Sequence, residues 1–196
     1  IIGAGIVGVN AMQMSLGLGA NTTILDVNNE LLTGIKKQYP AVNIGTSSRE
    51  LIEGLLPIVD IVIGAVLTPG AKPPTVISRE MLSMMQPKSI LADVAIDQGG
   101  CFETSKVTSH SEPTYEVDDI IHYCVRNIPS AVPFTATNAL NESTRPFIAR
   151  LANDGVEGLK SNTNLLMALN THQGRLVNQE VADAHDLKYS NPINIL

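Results

Sequence analysis

Cysteine is scarce. Cys101 and Cys124 are the two in 196 residues, and no C-x-x-C spacing occurs. That argues against a disulfide framework, and a reduced, cytoplasmic protein is the simplest expectation. The sequons at Asn21 and Asn141 then carry no meaning. Long hydrophobic runs are missing too. None reaches the roughly 18–20 residues that span a bilayer, so no membrane partner is expected, and no secretory leader is visible at the first residues. Positive charge is in deficit: 13 Lys and Arg stand against 19 Asp and Glu, a net charge of −6 without blocks of one sign. Such a chain repels a phosphate backbone, so nucleic acid is not an expected partner. Metal-ligand spacing is also absent, so no metal is expected. His110, His122, His172 and His185 stand apart from one another, and no G-x-S-x-G or catalytic Cys/His pattern appears. His122 sits in an apolar run and reads as a satisfied core residue. His172, in "NTHQG", reads as the end of a helix before Gly174.

What is present is 44% apolar residues, enough for a sizeable core, in a length that fits one domain and part of another. Residues 1–133 alternate continuous apolar runs with helical stretches. Strands are predicted at 22–27, 42–45, 60–66, 89–96 and 120–125, and helices at about 6–18, 28–38, 48–56 and 78–85. Val9, Met12 and Leu16 form an apolar stripe on the first helix, and Ser47-x-x-Glu50 fits a capping box on the third. Continuous rather than alternating apolar strands suit a parallel sheet covered on both faces. The expectation is an α/β, doubly wound parallel sheet of the Rossmann type. Residues 101–119 are polar and read as short excursions. From 134 to 196 no further strand is expected, and helices are predicted at 134–152, 161–170 and 174–186. This second part is too thin to be a domain by itself.

The chain opens "IIGAGIVGVN", in which Gly3, Gly5 and Gly8 fit G-x-G-x-x-G. The motif is weak alone, but here a strand stub precedes it and a helix follows. Gly3 permits the tight turn, Gly5 lets a pyrophosphate approach the backbone, and Gly8 allows close packing of helix on sheet. The helix N-terminus offers N–H groups to phosphate. Asp26 follows at the end of the second strand, near the position that binds an adenosine ribose, and its charge favours NAD over NADP. The alternative is a plain glycine turn with Asp26 as a strand-end cap.

Three further segments leave strands at the same edge. "ADVAIDQGGCFE" holds Asp93 within the strand and Asp97 at its end, and Gly99 and Gly100 allow a sharp turn. A turn role for an isolated Asp there is the commoner explanation. "IGAVLTPGAKPP" places Val66 and Leu67 against a ligand or in the core. "VRNIPSAVP" brings out Asn127 and Ile128, where an Asn orients a substrate or a nicotinamide amide, or simply turns the chain.

Together "IGAGIVGVNA", "VIGAVLTPGAKPP", "LADVAIDQGGCFE", "YCVRNIPSAVP" and "NTHQGRL" resemble the bacterial L-alanine dehydrogenase family over nearly the whole chain. "AIDQGG" is the specific piece, because the related proton-translocating transhydrogenases carry a different sequence there. The resemblance implies NAD-dependent, reversible oxidative deamination of L-alanine to pyruvate and ammonia, by a homo-oligomer that is hexameric in the family. It implies Ile6 and Val7 under the pyrophosphate, Asp26 at the ribose, Ser47 near the adenine, and Val66 and Leu67 lining the cofactor. Val94, Ala95, Ile96 and Asp97 then pass along the nicotinamide, with Asp97 catalytic. Lys106 stands where an arginine commonly binds cofactor. Val125, Arg126, Asn127 and Ile128 close over the nicotinamide, with Asn127 near the substrate. Leu31 and Ile128 replace a lysine and a methionine found in family members.

Family members also carry a long region ahead of this one that supplies a substrate-binding Arg, a catalytic Lys and a catalytic His. The chain therefore reads as a fragment cut inside the first Rossmann strand, with a helical tail belonging to a second, largely missing catalytic domain, and as inactive alone. The rival readings are the nucleotide-binding part of a transhydrogenase and a non-catalytic NAD(H)-binding module.

Overall fold

Residues 1–68 and 72–196 are described in a computed structural model. They separate into two compact units, one of Ile1–Thr68 with Lys72–Ile128 and one of Pro129–Leu196. The first unit is α/β. Its strands are β1 (Thr23–Asp26), β2 (Asn43–Thr46), β3 (Ile61–Gly64), β4 (Ile90–Asp93), β5 (Thr114–Val117) and β6 (Ile120–Tyr123), and its helices are α1 (Ile6–Gly17), α2 (Asn29–Gln38) and α3 (Arg49–Leu55). Strand β1 pairs with β2, and β3, β4 and β6 pair in turn, all parallel. Ile2 joins the two sets. It bridges Leu25 on one side and Gly64 on the other, through bonds from Gly3 N–H to the Leu25 carbonyl (2.8 Å) and from Ala65 N–H to that of Ile2 (2.8 Å). A single residue thus completes the order β2-β1-(Ile2)-β3-β4-β6-β5.

Both faces of this sheet are covered, as the continuous apolar runs require. Ile24 packs with Ala4, Met12, Leu32, Ile35 and Val42, while its neighbour Leu25 packs with Ile52, Leu56, Val62, Leu91 and Phe102. Met12 is fully buried, and a side chain of that size contributes about 1.5–3 kcal/mol by leaving water. Helix α2 starts where Asn28 accepts from the Glu30 and Leu31 N–H groups, and it ends with Lys36 and Lys37 near its negative pole.

Several elements differ from the sequence expectation, each for a local physical reason. The strand predicted to run to residue 96 stops at Asp93, whose side chain accepts from Ala95 N–H and turns the chain into a 3-10 segment, Val94–Gln98. The helix predicted at 78–85 is a 3-10 turn, Glu80–Met84, which buries Met81 and Leu82 and ends at Met85, whose backbone is extended. The cap of α3 is Ser48 rather than Ser47, with Ser48 Oγ accepting from Leu51 N–H at 3.2 Å. The polar stretch 101–119 contains β5, antiparallel to β6. Its turn is made by Asp118 and Asp119, both at positive φ, as a two-residue hairpin loop requires. The sheet is therefore parallel with one antiparallel edge.

The second unit holds α4 (Pro133–Lys160), which breaks at Gly155 (φ 56°, ψ −138°), with α5 (Thr163–Ala168) and α6 (Gln179–His185). It also holds a two-strand hairpin where none was expected: β7 (Thr171–His172) pairs with β8 (Arg175–Leu176). His172 therefore lies in a strand instead of ending a helix. Gln173 and Gly174 turn the chain, both at positive φ, and strands of two residues are too short to show a period. Phe134, Leu140 and Ile148 of α4 are exposed. Among the described residues no helix is long and apolar enough to cross a membrane.

Candidate functional site

Parallel strands deliver their C-terminal ends to one edge, so the loops that follow Ile2, β1, β2, β3, β4 and β6 gather there. The glycine loop has two structural glycines and one that the fold does not need. Gly3 takes φ +101°, and a Cβ there would overlap the Ala65 carbonyl oxygen. A Cβ on Gly8 would overlap the Gly3 carbonyl oxygen. Gly5 differs. Its φ of −69° suits any residue, and no described atom lies within 4 Å of where its Cβ would stand. No clash and no dihedral inside the described protein requires a glycine there. A ligand pressed against the backbone would, and the open backbone at a helix N-terminus suits a pyrophosphate. Gly5 is also the N-cap of α1 and supplies no side chain to the first-turn N–H groups, which leaves them for an anion. Ile6, 86% exposed, and half-exposed Val7 follow on the first turn.

Asp26 ends β1 beside this loop. Its Oδ2 accepts from Ala4 N–H at 2.7 Å and its Oδ1 from Asn28 N–H at 2.9 Å. Each oxygen keeps a further lone pair, as a ribose diol requires. Ser47 adjoins through its N–H, which donates to the Asp26 carbonyl at 2.8 Å. Leu31, in the first turn of α2, is partly exposed. After β3, Val66 is half-buried against the core and Leu67 is exposed. Pro69, Gly70 and Ala71 of the "IGAVLTPGAKPP" loop lie outside the described residues.

The loops after β4 and β6 meet directly. Asn127 N–H donates to both carboxylate oxygens of Asp97 at 3.1 Å, and Arg126 Nε stands 3.9 Å from Asp97 Oδ1. Asn127 takes φ 51°, a conformation Asn tolerates well. Asp97 is half-exposed. Ala95, Ile96 and Val125 are buried beneath these loops, and Ile128 begins the 3-10 turn Ile128–Ala131. Gly99 lies under the aliphatic stem of Lys72, whose Cγ would be 3.2 Å from an added Cβ, a neighbour the motif reading did not single out. Lys106 is exposed. Its N–H donates to Tyr115 Oη at 2.6 Å, and among the described residues no hydrogen bond or ion pair ties it to Asp97.

Other polar groups are structural. His122 is fully buried, hydrogen-bonded to Thr104 Oγ1 (2.7 Å) and the Ile120 carbonyl (3.0 Å), and stacked on Tyr115. Burial lowers its pKa below the ordinary imidazole value. Burial, and then the charge of Asp93, pushes the Cys101 thiol up, so it is no thiolate nucleophile. Among the described residues no His, Cys, Asp or Glu cluster fits a metal ion. A cavity of about 460 Å³ lies at the opposite, amino-terminal end of the strands, lined by Ile1, Thr23, Leu55, Asp60 and Ile61 among others. It contains none of the candidate residues.

Residues 1–179 match the family described as the alanine dehydrogenase/PNT C-terminal domain. Alanine dehydrogenase from Halomonas elongata is 46% identical over 198 residues, covering 100% of this chain and 53% of that protein. A solved L-alanine dehydrogenase superposes with a TM-score of 0.84 at 41% identity, over 94% of this chain and 52% of that one. A transhydrogenase from Sinorhizobium meliloti superposes with a TM-score of 0.69 at 25% identity, over 90% and 48%. The chain spans about half the length of the curated relatives it matches.

Proposed function

The chain belongs to the alanine dehydrogenase/PNT C-terminal domain family, and from that premise we propose that it supplies the NAD-binding part of an enzyme that deaminates L-alanine oxidatively and reversibly to pyruvate and ammonia. Residues 1–133 form the cofactor domain in this reading, and 134–196 contribute to a substrate domain. The observation that carries the cofactor is Gly5, a glycine with no steric or dihedral cause in the described chain.

When bound, NAD supplies the hydride acceptor. The protein's own groups do the rest. The N–H groups from Gly5 to Gly8 receive the pyrophosphate. Asp26 accepts from the adenosine ribose, and Ser47 and Leu67 border the adenine half. Val94–Asp97 and Val125–Ile128 border the nicotinamide, and Lys106 offers a positive charge to the cofactor. The Asp97 carboxylate is oriented by Asn127 N–H. It stabilises positive charge that develops on the substrate's carbon–nitrogen unit as the Cα–H bond breaks.

NADH fluorescence titration of the chain tests the cofactor. Saturable binding displaced by NAD is expected, and its absence would end this reading. Alanine-dependent NADH formation by an alanine-oxidising protein that contains this chain tests the substrate, with related amino acids as competitors.

A further inference from the structure

Asp93 is a carboxylate at 0% exposure. Taking such a charge out of water is costly unless donors surround it, and here five do. Its Oδ1 accepts from Ala95 N–H at 3.0 Å and faces the Cys101 thiol at 3.4 Å. Its Oδ2 accepts from Cys101 N–H at 2.8 Å, from Phe102 N–H at 3.3 Å and from the Ser105 hydroxyl. Among the described residues no lysine or arginine pairs with it.

The donors have a pattern. One lies at the start of the segment that leaves β4, and the others lie where that segment returns. The carboxylate therefore closes a loop around Val94–Gly100. Gly100 enforces the closure, since a Cβ there would stand 2.8 Å from Asp93 Oδ2. Past the closure the backbone is fixed again, by Val76 N–H on the Cys101 carbonyl (2.8 Å) and Glu103 N–H on the Ile77 carbonyl (2.9 Å). A turn cap alone would not need the charge. Asparagine serves that purpose equally well through one oxygen. Donors converge on both oxygens, whereas asparagine would turn an NH2 toward one set of them.

We propose that Asp93 is the positioning residue of the nicotinamide half of the site, setting the path of Val94–Gly100 and hence the place at which Asp97 meets Asn127. This rests on the reading above that the segment borders the nicotinamide. Asp93 itself is sealed from ligand and is not a catalytic residue.

The test uses the full chain with Asp93→Asn and with Ser105→Ala, a milder loss of one donor to the same oxygen. Each is titrated with NADH and with ADP-ribose, which lacks the nicotinamide, and each is melted thermally. The unmodified chain binds NADH more tightly than ADP-ribose. Asp93→Asn weakens NADH about tenfold or more while ADP-ribose stays within about twofold, and Ser105→Ala moves NADH a few-fold in the same direction. Equal weakening of both ligands, or no weakening of either, overturns the proposal. If Asp93→Asn fails to fold, Ser105→Ala decides by the same comparison. An unmodified chain that binds neither ligand removes the cofactor reading itself. One that binds both equally leaves that reading standing and removes only the role of Asp93.

Discussion

The backbone N–H of Ala4 donates to Asp26 Oδ2 across 2.7 Å, so the glycine loop and the carboxylate at the end of β1 form one unit. The bond ties the loop in place, and in the proposed NAD site the Asp26 charge would repel a 2′-phosphate. NADH is expected to bind more tightly than NADPH, by about tenfold or more. Asp26→Asn keeps one of the two acceptors, for Ala4 or Asn28 N–H, and removes the charge, so it should narrow the gap with a smaller fall in melting temperature than Asp26→Ala. Asp26→Ala should narrow the gap and lower the melting temperature as well. Equal affinities for the two cofactors in the unmodified chain would refute the assignment.

Two of the motif glycines, Gly8 and Gly5, should respond differently to alanine. Gly8→Ala drives a methyl into the Gly3 carbonyl and should cost roughly 2–4 kcal/mol of stability. Gly5→Ala meets no described atom at a compatible φ. The chain-entropy gain and the poorer N-cap offset each other, so stability should change by less than about 1 kcal/mol, yet NADH affinity should fall sharply. Melts and fluorescence titrations of the two variants separate the effects. A Gly5→Ala chain with normal NADH affinity would leave that glycine without a function.

Asp97→Asn retains an oxygen for Asn127 N–H and loses the charge. In an alanine-oxidising protein containing this chain, kcat should fall roughly a hundredfold or more. The melting temperature should barely move, because the side chain is half-exposed at the sheet edge. Steady-state kinetics beside thermal melts decide the matter, and near-normal kcat would return Asp97 to a turn residue.

His122 should make the first unit sensitive to mild acid. Burial lowers its pKa from 6.5. The unfolded chain therefore takes up a proton as pH falls through about 6.5, before the folded chain does. The stability is fully present above that pH, is lost progressively below it, and levels off once the folded imidazole also protonates. His122→Gln should reduce the drop in melting temperature between pH 7.5 and pH 5.5. An unchanged drop would place the acid sensitivity elsewhere.

Local chain chemistry determined a good part of this protein. The glycine loop, the apolar strands covered on both faces, Asp26 at a strand end and His122 in the core were all legible. Each depends on residues close in sequence and on a period that the backbone imposes. The failures were local as well where an element was too short to show a period: the hairpin at Gln173–Gly174, the 3-10 turn at Glu80–Met84, and β5 behind its Asp118–Asp119 turn. Other features belong to the tertiary structure. Ile2 is a strand only because Leu25 and Gly64 flank it. Asp97 and Asn127 are 30 residues apart in sequence, and their bond exists because β4 and β6 lie side by side in parallel. Asp93 read only as a residue within an apolar strand. Its importance appears only when donors from three stretches of backbone and side chain converge on it. A sequence can place a carboxylate at a strand end, but which N–H groups reach it depends on strand register and loop closure, and those are set by long-range packing.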